Sequence, residues 1–304
     1  MKYIVWGGNG FIGKNIVEKL AVTHTVYSIV REKGNGFLEE KNNRNAIILT
    51  EEEIDNIIHK ADYMIFVAWR GTSGNERGNL DIQLENIQLT CRAIQVAKKK
   101  RCKKFVYAGS IMEYEALNFM REEGNAPSTN YLYNVSKLAA DYYAKILCNT
   151  YGIQYCNALI SNIYGPGEMS QRFLISVCRK MIQGLDIELT SGVQLYDFIY
   201  IEDAVRAIIL VAERGNNNTE YYIGNSTQRE LREFVWDIKE VLESESELLF
   251  GKIEASPAVL SYLEFDVKKL EQEFGFKCQI TFKDGVRRTA EWIRGDIEYG
   301  TVKG

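Results

Sequence analysis

The chain has 304 residues, 46% apolar and 26% charged, the make-up of a globular protein with core enough for one large or two modest domains. Its 37 basic and 41 acidic residues leave a net charge of −4, with no basic footprint for nucleic acid or an anionic membrane surface. No apolar run approaches the ~20 residues of a membrane helix, no secretory leader precedes the first strand, and the six cysteines form no C-x-x-C pair, so the expectation is a cytoplasmic protein with free thiols.

Lys2 to Trp6 read as a strand, followed by Gly7-Gly8-Asn9-Gly10-Phe11-Ile12-Gly13, an apolar helical pattern from Asn15, and a second strand from Val26 to Val30. Strand, glycine turn, helix and strand form the context in which glycines at this spacing signal a dinucleotide. Gly7 permits the tight turn, Gly10 lets backbone approach a pyrophosphate, and Gly13 lets the helix lie on the strand. The helix N-terminus, at Phe11 and Ile12, then presents N–H groups to the phosphates. Where an NAD site commonly places an acid on the ribose, this chain has Val30, then Arg31. A guanidinium suits a 2′-phosphate, so NADP(H) is favoured, and the nearby Glu32 keeps NAD(H) open.

A Gly/Asn-rich loop is expected over Gly34 to Asn45, a third strand over Ala46 to Leu49, and a helix over Glu51 to Lys60. Asp62 to Ala68 form a fourth strand, nearly continuous in apolar residues as a strand covered on both faces should be. A polar loop from Trp69 to Gly78 leaves that strand's C-terminal end, where open α/β sheets bind ligands. Ile82 to Val96 read as a helix holding Asn86, and the basic run from Lys98 to Lys104 as its solvated cap. A fifth strand, Lys104 to Ala108, runs out into Gly109-Ser110-Ile111-Met112-Glu113-Tyr114, and a loop follows up to Asn130. Tyr133 opens a long helix to Tyr151, and Tyr155 to Ile160 form a sixth strand. Beyond Gly167 the expectations are helices over Phe173–Gln183, Glu202–Arg214, Leu231–Leu242, Asp266–Phe274 and Asp284–Arg294, with strands over Val193–Tyr200 and Tyr221–Ile223. Strands alternating with helices predict an α/β fold, a doubly wound parallel sheet.

With only His24 and His59 present, a histidine triad or histidine-ligated metal is not expected. Tyr133 and Lys137 stand four apart at a helix start and share a face. Free tyrosine, with a pKa of ~10, is a poor base, and an adjacent ammonium favours its ionised form. Ser110, at a strand end on the glycine loop's edge, offers a hydroxyl to a substrate oxygen.

These motifs together resemble the extended short-chain dehydrogenases/reductases of the NAD-dependent epimerase/dehydratase family, whose members act on nucleotide sugars. The resemblance also rests on Ala68, Asn86, Tyr114, the run Asn162-Ile163-Tyr164-Gly165-Pro166-Gly167, the run Asp197 to Asp203, and Trp292. It implies a Rossmann domain at 1–165 (with parts of 193–225) and a smaller nucleotide-sugar domain, mainly 166–304. It implies Ser110, Tyr133 and Lys137 as catalytic set, Ala68 and Asn86 among the cofactor contacts, Asn162 on the substrate, and a homodimer paired through the helices of Asn86 and Tyr133. Three departures stand out. Ile111 and Met112 replace the Asp-Glu of the sugar dehydratases, which speaks against 4,6-dehydration. Leu159 and Tyr196 stand where relatives place arginines, leaving Arg70, Arg77 or Arg172 as candidates for a diphosphate. The Gly-Ser-x-x-Glu-Tyr run resembles sugar 4-ketoreductases. The expected function is therefore NADPH-dependent reduction of a 4-keto nucleotide sugar. A C4 epimerase using NAD is the alternative, and a non-catalytic dinucleotide-binding protein a remote third.

Overall fold

The computed structural model describes residues 1–34, 44–119, 121, 124, 126–254, 260 and 262–299. Residues 35–43 of the loop expected before the third strand, and 120, 122, 123 and 125 of the one expected before Asn130, lie outside the described residues. In chain order the elements are β1 (Lys2–Trp6), α1 (Phe11–Ala21), β2 (Thr25–Ile29), β3 (Ala46–Leu49), α2 (Ile54–Ile57), β4 (Tyr63–Phe66), α3 (Leu80–Lys99), β5 (Lys104–Ser110), α4 (Met112–Phe119), α5 (Tyr131–Tyr151) and β6 (Gln154–Ile160). There follow β7 (Asn162–Tyr164), α6 (Phe173–Ile182), β8 (Ile187–Leu189), β9 (Leu195–Tyr196), β10 (Phe198–Tyr200), α7 (Ile201–Arg214), β11 (Thr219–Ile223), β12 (Arg229–Glu230), α8 (Leu231–Leu242), β13 (Leu248–Phe250), α9 (Lys269–Phe274) and α10 (Phe282–Tyr299).

Seven strands form one sheet in the order β11-β6-β5-β4-β1-β2-β3. Every pairing in it is parallel. The order reverses between β1 and β4, and the crevice outside the strand ends there is where doubly wound sheets take ligands. Parallel strands with helices on both faces must be apolar throughout. Accordingly Ile4, Val5, Met64, Ile65, Phe105 and Val106 are all fully buried. The chain divides into two compact units, Met1–Ile160 with Val205–Ile223, and Ser161–Ala204 with Gly224–Gly304. Within the second, three two-stranded pairs (β7 with β10, β9 with β12, β8 with β13) accompany an aromatic core in which the Phe234 ring lies 5.0 Å from Phe198 and 4.7 Å from Phe282.

Several expectations change in detail. Helix α4 occupies the end of the Gly109–Tyr114 run and the start of the loop expected after it, because Met112 to Phe119 contain no Gly or Pro to break a turn. The strand expected over Val193–Tyr200 is split at Asp197, whose fully buried carboxylate accepts the N–H groups of Asn225 and Ser226, so β9 and β10 pair with different partners. The helix expected over Glu51–Lys60 is only a 3-10 turn and α2, ending where Ile58 turns extended. The basic run is no uniform solvated cap: Lys99 and Lys100 pair with Asp55, whereas Lys104 is buried and donates to the Gly215 carbonyl at 2.6 Å.

Candidate active site

The glycine loop is shaped by steric contacts that no side chain could share. Gly7 lies at φ +96°, in the left-handed region, and a Cβ on it would sit 2.8 Å from the Ala68 backbone just past β4. A Cβ on Gly13 would sit 2.0 Å from the Gly7 carbonyl oxygen, so α1 rests directly on the loop. Gly10 is the N-cap of α1 with ordinary angles and no side-chain cap, and a Cβ there would meet only the Gly7 oxygen, at 3.3 Å. Its neighbours Phe11 and Ile12 are half-buried in the first turn, which carries no acid. An uncapped N-terminus beside an open cradle fits the pyrophosphate of a dinucleotide. At the end of β2, Val30 is buried and donates its N–H to Leu49, and Arg31 follows as an exposed side chain.

Past β4 the loop is held by Asn86 of α3. Its Oδ1 accepts the Arg70 N–H at 3.0 Å and its Nδ2 donates to the Arg70 carbonyl at 2.8 Å. Both ends of this buried amide are thus bonded to the backbone of one residue, and Asn86 fixes the loop's path. The exposed Arg70 guanidinium binds Glu76 at 2.6 Å. Arg77 is turned inward, donating to Asn134 at 2.7 Å with its guanidinium carbon 4.2 Å from the centre of the Tyr133 ring.

Ser110 is the last residue of β5 and not a residue beyond it, and its Oγ accepts the Met112 N–H at 3.3 Å. Tyr133 and Lys137 lie in the first two turns of α5, both buried. The Lys137 ammonium donates to the Ala108 carbonyl at 2.8 Å and sits 3.9 Å from the centre of the Trp69 ring and 5.0 Å from that of Tyr107. The Tyr107 hydroxyl in turn donates to the Lys137 carbonyl at 3.1 Å. These bonds bring the start of α5 to the end of β5, so Lys137 is held two residues from Ser110, while the Trp69 ring meets Tyr133 edge-on at 6.1 Å.

Sequence reasoning missed the polar cluster beneath Ser110. Glu113 is buried, with Oε1 accepting the Ser110 N–H at 2.8 Å and Oε2 accepting from Asn157 Nδ2 at 3.2 Å. That amide also donates to Asp141 Oδ1 at 3.1 Å, which accepts the Tyr155 hydroxyl as well. Burial above all, then the neighbouring Asp141 carboxylate, pushes the Glu113 carboxyl well up; burial also raises Asp141. One signal was legible: Asp141 follows Lys137 at helical i,i+4 spacing.

In the second unit, Asn162 opens β7 and donates to the Asp197 carbonyl at 3.0 Å. Arg172, half-buried, is the N-cap of α6. Tyr196 pairs across the β9–β12 ladder with Arg229, whose guanidinium carbon lies 4.1 Å from the Phe234 ring centre and which binds Asp237 at 2.7 Å. Among the described residues no cluster of metal-binding side chains occurs, and no helix is long and apolar enough to cross a membrane.

A parallel sheet of this strand order, with a glycine cradle at its switch point, is the Rossmann frame of a dinucleotide-dependent enzyme. The chain belongs to the NAD-dependent epimerase/dehydratase family, whose model matches residues 3–224, and is an enzyme of the extended short-chain dehydrogenase/reductase type. It is similar to the dTDP-glucose 4,6-dehydratase of Haemophilus influenzae, 24% identical over 96% of this chain and 97% of that one. The CDP-abequose synthase of Salmonella typhimurium is 26% identical over 93% of this chain and 95% of its own. The solved UDP-N-acetylglucosamine 4-epimerase of Methanobrevibacter ruminantium shares the fold, with a TM-score of 0.80 at 24% identity, covering 97% of this chain and 98% of that one.

Proposed function

We propose that the protein reduces the C4 keto group of a nucleotide-linked deoxysugar with NADPH. The observation that carries this reading is the tie between Lys137 and the Ala108 carbonyl, which holds the Tyr133 helix against the strand that ends in Ser110. The glycine cradle and the uncapped start of α1 fit the pyrophosphate, with Gly7, Gly10, Phe11, Ile12 and Gly13 around it and Ala68 behind it. A bound nicotinamide dinucleotide supplies the hydride. Ser110 donates a hydrogen bond to the substrate's carbonyl oxygen, Tyr133 delivers the proton to that oxygen, and Lys137 holds its ammonium close by to favour that transfer. Arg31 meets a 2′-phosphate, which Val30 in place of an acid leaves unopposed. Asn86 acts by holding the Arg70 backbone beside this region.

Dehydration lacks its acids, since Ile111 and Met112 carry none and the nearby Glu113 carboxyl is bonded to Ser110 and Asn157. On the substrate side Asn162 and Arg172 are the contacts we assign, with Arg70 available where a diphosphate displaces Glu76. A C4 epimerase, using NAD⁺ on the same three residues, is the second reading, favoured by the fold shared with a 4-epimerase.

The deciding experiment mixes purified protein with NADPH or NADH and a 4-keto-6-deoxy nucleotide sugar and follows absorbance near 340 nm. Faster oxidation of NADPH supports the reductase and Arg31 together. No net oxidation, with interconversion of a UDP-hexose and its C4 epimer, establishes the epimerase instead. Exposed apolar side chains on α3 (Leu80, Leu84) and α5 (Val135, Tyr142, Tyr143, Ile146) support a homodimer through these two helices, and a monomeric mass by light scattering at micromolar concentration refutes it; the compartment we assign is the cytoplasm.

A further inference from the structure

The polar cluster beneath Ser110 has no part in the chemistry just described, yet it touches both of the elements that carry it. Glu113 Oε1 accepts the Ser110 N–H, and Glu113 Oε2, Asn157 Nδ2, Asp141 Oδ1 and the Tyr155 hydroxyl follow in an unbroken chain. Asp141 stands one helical turn after Lys137. Asn157 packs so closely under the strand end that a Cβ on Gly109 would lie 2.1 Å from its Oδ1, so this turn has no freedom to slide over it. The chain therefore runs from the backbone of Ser110 to the helix of Tyr133 and Lys137.

We propose that Glu113 is a positioning residue: with Asn157 and Asp141 it forms a buried strut that fixes the Ser110 hydroxyl relative to Tyr133 and Lys137. The inference rests on the reading that these three residues do the chemistry. The charged and titratable groups facing the strut are Lys137 and Lys145 from α5, Tyr107 from β5, Tyr155 from β6, and Tyr114 from α4, itself bonded to Glu220 of β11. Two buried carboxyls joined through one amide resist ionising together, so the strut works while the pair keeps one proton. A carboxyl held protonated in the folded protein makes stability fall as pH rises through its folded pKa.

Glu113→Ala removes the acceptor of the Ser110 N–H, while Glu113→Gln keeps a carbonyl oxygen there and has no proton to lose, but turns its own NH2 toward the Asn157 NH2 and so gives up that bond. For the alanine variant we expect kcat to fall on the order of tenfold to a hundredfold with KM for NADPH unmoved, the cost of misplacing a reacting group. The glutamine variant, which keeps the Ser110 bond and loses the one to Asn157, recovers part of that loss and carries the alkaline limb of kcat to higher pH. Two readouts do not depend on the reaction. Hydrogen exchange across residues 109–113 quickens in the alanine variant and not in the glutamine one, and the loss of melting temperature at high pH is smaller in the glutamine variant than in wild type. Wild-type kcat in the alanine variant, or exchange and pH-dependence that match wild type in both, overturns the strut. Should the wild-type protein turn over no nucleotide sugar, the proposed function fails on that result alone, and the exchange experiment still decides whether Glu113 holds the turn.

Discussion

Two strand-to-helix turns leave the same edge of the sheet, after β1 and after β5, and they are built on opposite principles. The first is made by leaving atoms out: Gly7 and Gly13 touch backbone at distances no Cβ allows, and the helix that follows has no side-chain cap. The second is made by filling: Glu113 and Asn157 bond beneath Ser110, and the Ser110 hydroxyl accepts the Met112 N–H. The first turn bonds the N–H groups of Gly7 and Gly8 to the Ile29 carbonyl and that of Gly10 to the Gly7 carbonyl, and it leaves the start of α1 without a side-chain cap, a geometry suited to a ligand of negative charge. The second satisfies its own groups, so a single hydroxyl is aimed and held. The two turns thus differ in whether backbone alone or buried side chains fill the space behind the strand end.

The comparison breaks most severely at the chemical turn's partner helix. Tyr133→Phe keeps the ring packing against Trp69 and Arg77 but removes the hydroxyl proposed as proton donor, and kcat should fall about 10²- to 10⁴-fold, as losses of a positioned acid do. Steady-state rates at saturating NADPH, beside an unchanged melting temperature, check this; retained activity would mean that the acid lies elsewhere.

Two glycines separate fold from binding at the first turn. Gly13→Ala forces a Cβ within 2.0 Å of the Gly7 oxygen and should cost on the order of 1–3 kcal/mol of stability, read by denaturant unfolding. Gly10→Ala meets only one atom, at 3.3 Å, and should leave stability nearly intact while weakening dinucleotide binding at least about tenfold, because the added methyl keeps the pyrophosphate from closing on the backbone and weakens a charge-assisted contact there. Equal affinity in the Gly10 variant would show that the cradle serves the turn alone.

The smallest effect is at Arg31. Arg31→Ala removes one exposed guanidinium, and the preference for NADPH over NADH should fall by about tenfold, one charge-assisted bond to a phosphate. Fluorescence titration with each dinucleotide measures the ratio, and an unchanged ratio removes Arg31 from cofactor choice.

Much of this was legible because the signals were local. A glycine turn between two apolar runs, and strands spaced by amphipathic helices, follow from backbone sterics and burial within a few residues. What stayed hidden was nonlocal. Asn86 reads as a cofactor contact, and nothing in the sequence shows that both ends of its amide also bond the backbone of Arg70, sixteen residues away. Lys104 reads as a solvated cap, yet it serves the carbonyl of Gly215. Asp197 sits mid-run in a strand pattern and splits it, because its carboxylate caps N–H groups twenty-eight and twenty-nine residues on.

By itself, then, the sequence determined the parallel α/β frame, the position of the glycine turn, and the shared helical face of Tyr133 and Lys137, since these follow from short-range periodicity and from residues with distinctive backbone or chemical properties. Only the tertiary structure decided which polar side chains stand beneath that face. Glu113, Asn157 and Asp141 come from three elements, and nothing in their spacing places them together. They meet because the sheet sets β5 beside β6 and lays α5 against both, where a buried acid must find donors or keep its proton.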